Sequence, residues 1–347
     1  MTFLRNAWYP AAWDTEVPIG ELFNRTLLNE SVLLFRDSSG VAKAISNRCP
    51  HRFAPLHMGT LRGDSVQCAY HGLCFDGSGT CTHNPHGDSA IPRAAKVKAY
   101  PLVERHSLLW IWMGDVAAVD AQLIPDFSCM DSEQWYAGKR YLHAKANYVL
   151  ETDNIMDLSH IEFLHPSTLG GDGVKSALTS VQEEGDTVWS NRQTVAEIMP
   201  EFLYNAWKIP LNTPVDRWID VRWDAPASML LFSGAVATGR PREEGVSTPI
   251  PHLFTPETAT TTHYWYAMCF PKAMGEFGET LAEEQADAIT QPFRHEDLPM
   301  LEAQQQMMGD ANFWDLKPVL LVGDAGAIRA RRVLDRLIAA EQPVGNK

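Results

Sequence analysis

The chain has 347 residues, 45% of them hydrophobic and 21% charged, which is the composition of a packed globular protein of about two domains. Its 43 acidic and 29 basic residues give a formal net charge of −14, which argues against nucleic acid or an anionic membrane as a partner. The N-terminus does not resemble a signal peptide and no long apolar run predicts a membrane span, so a cytoplasmic protein is expected.

Residues 1–115 are predicted to form short strands separated by turns. Apolar runs at 32–36 and 41–45 flank the sequence Asp-Ser-Ser-Gly, a pattern typical of two strands joined by a tight turn. A third apolar run, 108–113, is short enough for a buried strand. This part of the chain is therefore expected to be all-β.

The composition changes after the third run, so we place a domain boundary near residues 114–125, which gives domains 1–118 and 119–347. The second domain mixes both types of element. Its predicted elements are helices at 147–164, 279–308 and 326–341 and strands at 218–223, 229–236 and 263–270. The pattern predicts an α+β protein, in which an all-β N-terminal domain precedes an antiparallel sheet flanked by helices. The arginines of the last predicted helix are expected on its solvated face; they are Arg329, Arg331, Arg332 and Arg336.

Six cysteines in a chain of this length do not indicate a disulfide scaffold. Cys74 and Cys81 lie close in sequence and could pair, but buried free thiols are the expected state in a reducing cytoplasm. Cys49 and Cys68 belong instead to a pattern of metal ligands.

Two short strings each combine a thiol with an imidazole: Cys49-Pro-His51 and Cys68-Ala-Tyr-His71. Two cysteines and two histidines are the ligand set of a Rieske [2Fe–2S] cluster, in which each residue type holds one iron. Zinc accepts the same residue types, but zinc fingers usually pair Cys with Cys and His with His in separate short spacings. The spacing therefore favours the iron–sulfur cluster and leaves zinc as the alternative.

A second group of candidate ligands lies within the helix predicted at 147–164. Asn154, Asp157 and His160 are spaced by three, which places them along one stripe of a helix among apolar neighbours. His165 precedes a proline, which disfavours helical geometry there, so we expect the helix to unwind and the two imidazoles to converge. Two histidines with one carboxylate and open coordination positions are the ligands of non-haem Fe(II) enzymes that activate oxygen.

The third ligand has to come from another part of the chain. Asp297, at the start of a late helix, is the best candidate, although its spacing alone is weak support. A solvated carboxylate near a helix N-terminus is the ordinary alternative for this residue, and a surface position is the alternative for His295.

Together the two motifs resemble those of the Rieske non-haem iron oxygenases, and the similarity extends over nearly the whole chain. The opening at residues 5–13 and the closing segment at 324–337 are most similar to the subgroup of vanillate O-demethylase, dicamba O-demethylase and toluenesulfonate methyl-monooxygenase oxygenase components. The resemblance implies that Cys49, His51, Cys68 and His71 bind the cluster. It also implies that His160, His165 and Asp297 bind a mononuclear Fe(II).

The resemblance further implies a head-to-tail homotrimer in which Asp157 links a cluster histidine, His71 of the neighbouring subunit, to His160. Asn154 would lie beside the iron. Electrons would come from NAD(P)H through a reductase of the flavin and ferredoxin type, with O2 as the co-substrate.

The implied activity is oxidation of a methyl or methoxy group of a small aromatic acid, by O-demethylation or methyl hydroxylation in aromatic compound catabolism. Leu231 and His252 align with positions that contact the aromatic acid in related demethylases, and Leu231 stands where the dicamba enzyme offers an amide. Further aromatic candidates for the pocket wall are Phe202, Tyr204 and Trp207. The competing hypothesis is a Rieske electron-transfer protein without oxygenase activity, which would need the first motif alone.

Overall fold

In the computed structural model, which describes residues 2–166, 168–169 and 177–342, the chain divides into two units. The N-terminal unit consists of Phe3–Ile124 with Thr255–Ala259. The C-terminal unit consists of Pro125–Phe254 and Thr260–Lys347 with the first two residues. No helix of the described residues is both long and apolar enough to cross a bilayer.

The described residues of the N-terminal unit form one three-stranded and two four-stranded sheets, in the orders β1-β11-β10, β2-β3-β4-β9 and β5-β6-β7-β8. The strands are β1 (Trp8–Trp13), β2 (Phe23–Leu27), β3 (Glu30–Arg36), β4 (Ala42–Ser46), β5 (Thr60–Arg62), β6 (Ser65–Gln67), β7 (Cys74–Asp76), β8 (Cys81–His83), β9 (Ala99–Tyr100), β10 (Leu102–Arg105) and β11 (Leu108–Trp112). The predicted strands at 32–36, 41–45 and 108–113 correspond to β3, β4 and β11. Gly40 has φ +84° in the turn between β3 and β4, a conformation that favours glycine.

In the described residues of the C-terminal unit, seven strands form one sheet in the order β12-β18-β17-β16-β15-β14-β13. They are β12 (Trp135–Ala144), β13 (Leu178–Glu184), β14 (Thr187–Glu197), β15 (Val215–Asp224), β16 (Ser228–Ala237), β17 (Val246–Pro256) and β18 (Thr262–Pro271). The α-helices are α1 (Tyr148–Met156), α2 (Ile161–Leu164), α3 (Glu201–Trp207), α4 (Glu276–Pro292), α5 (Leu298–Met308) and α6 (Ala325–Glu341). The predicted α+β class is confirmed.

The helix predicted at 147–164 is interrupted, so the prediction of one continuous stripe is wrong. α1 ends at Met156, and Asp157 takes an extended conformation (φ −120°, ψ 97°) before a short 3₁₀ turn at Leu158–His160. The Asp157 carboxylate accepts a hydrogen bond from the Ser159 N–H at 3.0 Å and caps this turn. A short polar side chain that bonds to nearby backbone competes with helix continuation, which explains the break.

The helix predicted at 279–308 contains a wider turn at its centre. α4 ends at Pro292, and Phe293–Asp297 form a π-helical turn before α5 begins. The Leu298 N–H donates to the Phe293 carbonyl, five residues earlier. Proline has no N–H to donate to the preceding turn, and such π turns are frequent at functional sites.

α6 docks on α1 through Arg331, which corrects the expectation that all four arginines of this helix are solvated. Arg331 is buried, and its Nε donates to Asp153 of α1 at 2.9 Å. Its guanidinium also lies 3.9 Å from the centre of the Phe313 ring. α6 therefore helps to hold the helix that carries Asn154.

We predict that Arg331→Met lowers the free energy of unfolding by about 3 kcal/mol, because it leaves the Asp153 carboxylate without its cation. Arg336→Met on the same helix is the matched control, since the Arg336–Asp186 pair is exposed and worth under about 1 kcal/mol. Urea unfolding of both variants measures the difference, and equal losses would contradict the role given to Arg331.

Candidate metal centres and active-site cavity

Two loops of the N-terminal unit place the first set of candidate ligands. In the first loop the Phe53 N–H donates to the Cys49 carbonyl at 3.0 Å, and in the second the Gly72 N–H donates to the Cys68 carbonyl at 3.0 Å. Gly72 has φ +74°, which a side chain would strain. The two loops therefore have matching turns directly after their cysteines.

The thiols and imidazoles of these loops lie in different surroundings. Cys49 and Cys68 are buried in the hydrophobic core, whereas His51 is exposed and His71 is partly exposed. The two imidazole rings lie 4.4 Å apart between centroids. Burial raises the pKa of Cys49 to about 11, so metal binding would have to displace its proton. This arrangement fits a Rieske cluster, in which two thiolates bind one iron and two imidazoles bind the other. The four cysteines outside this motif are free and buried, as expected: Cys74, Cys81, Cys129 and Cys269.

Three candidate ligands, which we call the triad, come together in the C-terminal unit: His160, His165 and Asp297. His160 ends the 3₁₀ turn, His165 follows α2, and Asp297 ends the π turn. One candidate ligand atom from each residue lies within 4.8 Å of the other two. His165 Nε2 lies 3.1 Å and His160 Nε2 3.5 Å from the same oxygen, Asp297 Oδ1. This donor set fits a divalent iron with open coordination positions.

The His160 ring is oriented by backbone. Its Nδ1 donates to the Asp157 carbonyl at 2.9 Å, so Nε2 carries the lone pair and faces Asp297. Burial lowers the pKa of His160, which favours the neutral ring that binds metals. The break at Asp157 thus supplies the acceptor that fixes the ligand.

The His165 ring is oriented by a carboxylate that the sequence reasoning missed. His165 Nδ1 bonds to Glu296 Oε2, which also accepts a hydrogen bond from the Thr168 hydroxyl at 2.8 Å. Burial disfavours charge on His165, but the bonds to Asp297 and Glu296 outweigh it and raise the pKa of His165. The sequence signal that could have revealed the role of Glu296 is its position next to Asp297. The neighbouring His295 is exposed, which agrees with the surface position given as the alternative for that residue.

Asn154 and Asp157 occupy different positions relative to the triad. Asn154 Nδ2 donates to Asp297 Oδ1 at 3.0 Å. The Asp157 carboxylate accepts from Arg192 Nη2 at 3.3 Å, and within the described chain it makes no hydrogen bond to His160. The link from Asp157 to His160 therefore runs through the main-chain carbonyl rather than the carboxylate.

A cavity of about 350 Å³ adjoins the triad and is large enough for a small ligand. Its wall includes the predicted pocket residues Leu231 and His252, and also Phe202 and Trp207. Tyr204 is not part of this wall. It is buried in a separate cluster with residues such as Val215, which corrects its assignment to the pocket.

His252 is a buried, neutral member of the cavity wall. Its Nδ1 lies 2.6 Å from the Tyr264 hydroxyl, and its Nε2 has no hydrogen-bond partner among the described residues. Burial lowers the pKa of His252 to about 3, so the ring is uncharged at neutral pH. His252 can exchange one hydrogen bond with a ligand, but it brings no charge.

Two family models cover most of the chain. The Rieske [2Fe-2S] domain matches residues 7–101, and the vanillate O-demethylase oxygenase C-terminal domain matches residues 144–340. The chain belongs to the Rieske non-haem iron oxygenases. The sequence prediction of this family is confirmed, and the zinc alternative is wrong.

Individual relatives align over the full length. The iron–sulfur subunit of the toluene-4-sulfonate monooxygenase system of Comamonas testosteroni is 40% identical, with 98% of each chain covered. The oxygenase component of chloroacetanilide N-alkylformylase from Rhizorhabdus wittichii is 40% identical, over 98% of this chain and 97% of that one. Dicamba monooxygenase bound to 3,6-dichlorosalicylic acid superimposes with a TM-score of 0.89 at 33% identity, covering 98% and 99% of the two chains.

The family settles the class of protein. This Rieske oxygenase is an enzyme, a monooxygenase component with a [2Fe–2S] cluster and a mononuclear non-haem iron, and it uses O2 with electrons from a reductase. The hypothesis of an electron-transfer protein without oxygenase activity is therefore wrong.

We predict that Glu296→Gln weakens iron binding at the triad by about 10- to 100-fold, because it weakens the bond that orients His165. Anaerobic iron titration against a competing chelator measures the affinity, while the visible absorbance of the cluster reports on the other centre. Glu284→Gln, an exposed position on α4, is the matched control. Iron affinity equal to that of the control would show that Glu296 does not orient the ligand.

Close to the triad, α1 carries a second buried acid, Glu151, which is 3% exposed. Burial raises the pKa of Glu151 from 4.5 to about 8, with a further contribution from the charges of Asp297 and Glu302. The folded protein therefore keeps a proton that the unfolded chain loses above pH 4.5. The stabilisation from this proton is complete below pH 4.5 and is lost as the pH rises through about 8.

We predict that Glu151→Gln flattens the pH dependence of stability between pH 5 and 9, because the amide cannot ionise; the difference is roughly 5 kcal/mol at full effect. Melting temperatures of the wild type and the variant should diverge as the pH rises, with the wild type falling. Parallel curves would contradict a raised pKa at Glu151.

Proposed function

We propose that this oxygenase inserts one oxygen atom into a methyl or methoxy group of a small aromatic acid, by methyl hydroxylation or O-demethylation, in aromatic compound catabolism. The observation that carries the proposal is the cavity of about 350 Å³ that ends at His160, His165 and Asp297. Its walls are largely apolar, with residues such as Leu231, Ile250 and Phe202, so a single aromatic ring fits its chemistry.

The names of the relatives support an aromatic substrate. Toluene-4-sulfonate, chloroacetanilides and dicamba each contain one substituted aromatic ring, and the superimposed dicamba enzyme binds 3,6-dichlorosalicylic acid. Leu231 and His252, which line the cavity, are proposed to contact the ring and its substituents. The neutral His252 offers one hydrogen bond and Leu231 an apolar surface.

We assign His160, His165 and Asp297 as the ligands of the mononuclear iron, and Cys49, His51, Cys68 and His71 as those of the cluster. When bound, the two metal centres supply electron transfer and oxygen activation. The chain positions them: Glu296 and the Asp157 carbonyl hold the imidazoles, and Asn154 holds Asp297 through its amide.

Electron delivery is proposed to occur between subunits of a head-to-tail homotrimer in the cytoplasm, fed by an NAD(P)H-dependent reductase of the flavin and ferredoxin type. Asp157 would connect His71 of the partner subunit to His160. The Asp157 carbonyl already bonds to His160. Its carboxylate bonds to Ser159 and Arg192 and retains 17% exposure, at which a partner histidine would bind.

The function is tested with purified enzyme, a surrogate reductase and a panel of vanillate, dicamba and toluene-4-sulfonate analogues. We predict that the wild type carries three irons per chain and yields formaldehyde from methoxy groups or an alcohol from methyl groups. Asp297→Ala should keep the red-brown cluster but hold two irons and form no product. Product formation by this variant would show that Asp297 is misassigned, and an iron-replete wild type inactive on the whole panel would reject the substrate class.

Asp157→Asn tests the connection between subunits. We predict that both metal centres stay occupied while electron transfer from cluster to iron slows by at least about tenfold, because the amide changes the charge and hydrogen bonding at the link. Single-turnover kinetics of the pre-reduced protein measures this step directly. An unchanged rate would remove Asp157 from the path.

A further inference from the structure

We propose that Arg217 anchors the acid group of the substrate and selects aromatic acids whose oxidised methyl or methoxy group lies across the ring from that acid. The inference rests on the proposed function and adds to it the residue that binds the acid and the arrangement of the substituents. It follows from one polar patch on the sheet wall of the cavity.

Arg217, Ser233 and Thr248 form this patch, which we call the distal polar patch. All three line the cavity from neighbouring strands β15, β16 and β17. Ser233 pairs directly with Thr248, and Arg217 pairs with Ala235, two residues from Ser233 on the same face of the sheet. Thr248 accepts a hydrogen bond from Trp207 Nε1 at 3.0 Å, whereas the Ser233 hydroxyl bonds to none of the described residues.

The distal polar patch lies away from the metal ligands along the strands. On β17, His252 is four residues from Thr248, and the His252 ring lies 5.8 Å from Phe293 in the π turn that carries Asp297. On β15, Arg217 is two residues from Ile219. Ile219 pairs with Arg192 of β14, which donates a hydrogen bond to Asp157. At about 3.4 Å per residue these separations along the strands are about 7 and about 14 Å. Substituents on adjacent ring carbons lie side by side and cannot reach both ends, whereas substituents across the ring can.

Arg217 is suited to bind an anion. It is the one lysine or arginine among the described residues that line the cavity. Its Nη1 lies 3.2 Å from Glu197 Oε1, and its buried Nε–H has no acceptor among the described residues. Glu197 therefore fixes the guanidinium without using all of its donors. A guanidinium matches the planar geometry of a carboxylate, whereas the neutral His252 cannot supply a charge.

The experiment measures equilibrium binding to anaerobic, iron-loaded enzyme by isothermal titration calorimetry. The probes are 4-methoxybenzoate, its isomer 2-methoxybenzoate, and 4-methylanisole, in which a methyl group replaces the acid. Because loss of Arg217 alone would leave Glu197 buried and unpaired, the test variant is Arg217→Gln with Glu197→Gln. Glu197→Gln alone separates loss of the guanidinium from loss of its partner. Arg222→Gln, at a half-buried arginine of the same strand that bonds to Asp224, is the control.

We expect the wild type to bind 4-methoxybenzoate at least about tenfold more tightly than 2-methoxybenzoate. The double variant should lose at least about tenfold in affinity for 4-methoxybenzoate and change less than about twofold for 4-methylanisole. Arg222→Gln should keep the preference, and Glu197→Gln alone, which retains the guanidinium, should bind the acid more tightly than the double variant does. Three results would overturn the proposal. They are equal affinity of the double variant and the wild type for 4-methoxybenzoate, an equal loss of affinity for 4-methylanisole, and no binding of either acid by the wild type.

Product analysis on the same proteins separates this inference from the proposed function. Formaldehyde from 4-methoxybenzoate with binding that does not depend on Arg217 would overturn the anchor and leave the oxygenase function intact. Binding that depends on Arg217, without oxidised product from iron-replete enzyme, would support the anchor and reject the assigned reaction.

Discussion

The end of α1 at Asp157 is the constraint on which the proposed iron centre depends. Asp157 leaves helical geometry, and both its side chain and its main-chain carbonyl then accept hydrogen bonds. The carboxylate caps the turn at Ser159, and the carbonyl accepts the His160 Nδ1–H. A continuous helix would have used that carbonyl in its own ladder. The interruption therefore converts a main-chain acceptor into the group that fixes the tautomer and orientation of a ligand.

The second half of the centre depends on another irregular turn. The π turn after Pro292 presents Glu296 and Asp297, neighbours in sequence, to the two nitrogens of one imidazole, His165. Burying several carboxylates so close together costs electrostatic free energy, and the raised pKa of Glu151 is one sign of it. A divalent cation held by Asp297 would offset part of that cost, so the donor set and the local charge favour the same occupant.

Much of this could be predicted from sequence because the ligands lie in short motifs. The spacing of the ligands within the two Cys–His strings and within the Asn154–His165 segment was enough to identify both motifs. Pro166 correctly predicted that the helix ends before His165. The break at Asp157 was missed, because a polar stripe at spacing three fits a helix equally well and the competition depends on one hydrogen bond. Glu296 and Arg331 were missed for a different reason: their partners are distant in sequence, and burial of an acid or arginine follows from tertiary packing alone.

The central claim is that His160, His165 and Asp297 hold an iron at the end of the substrate cavity. Anomalous diffraction at the iron edge from crystals of the purified holoenzyme tests it most directly. The account predicts a two-iron peak at the Cys49 and Cys68 loops and a separate single-iron peak between the three ligands. A fully occupied cluster with no iron peak at the triad, or a single iron bound elsewhere in the C-terminal unit, would contradict it.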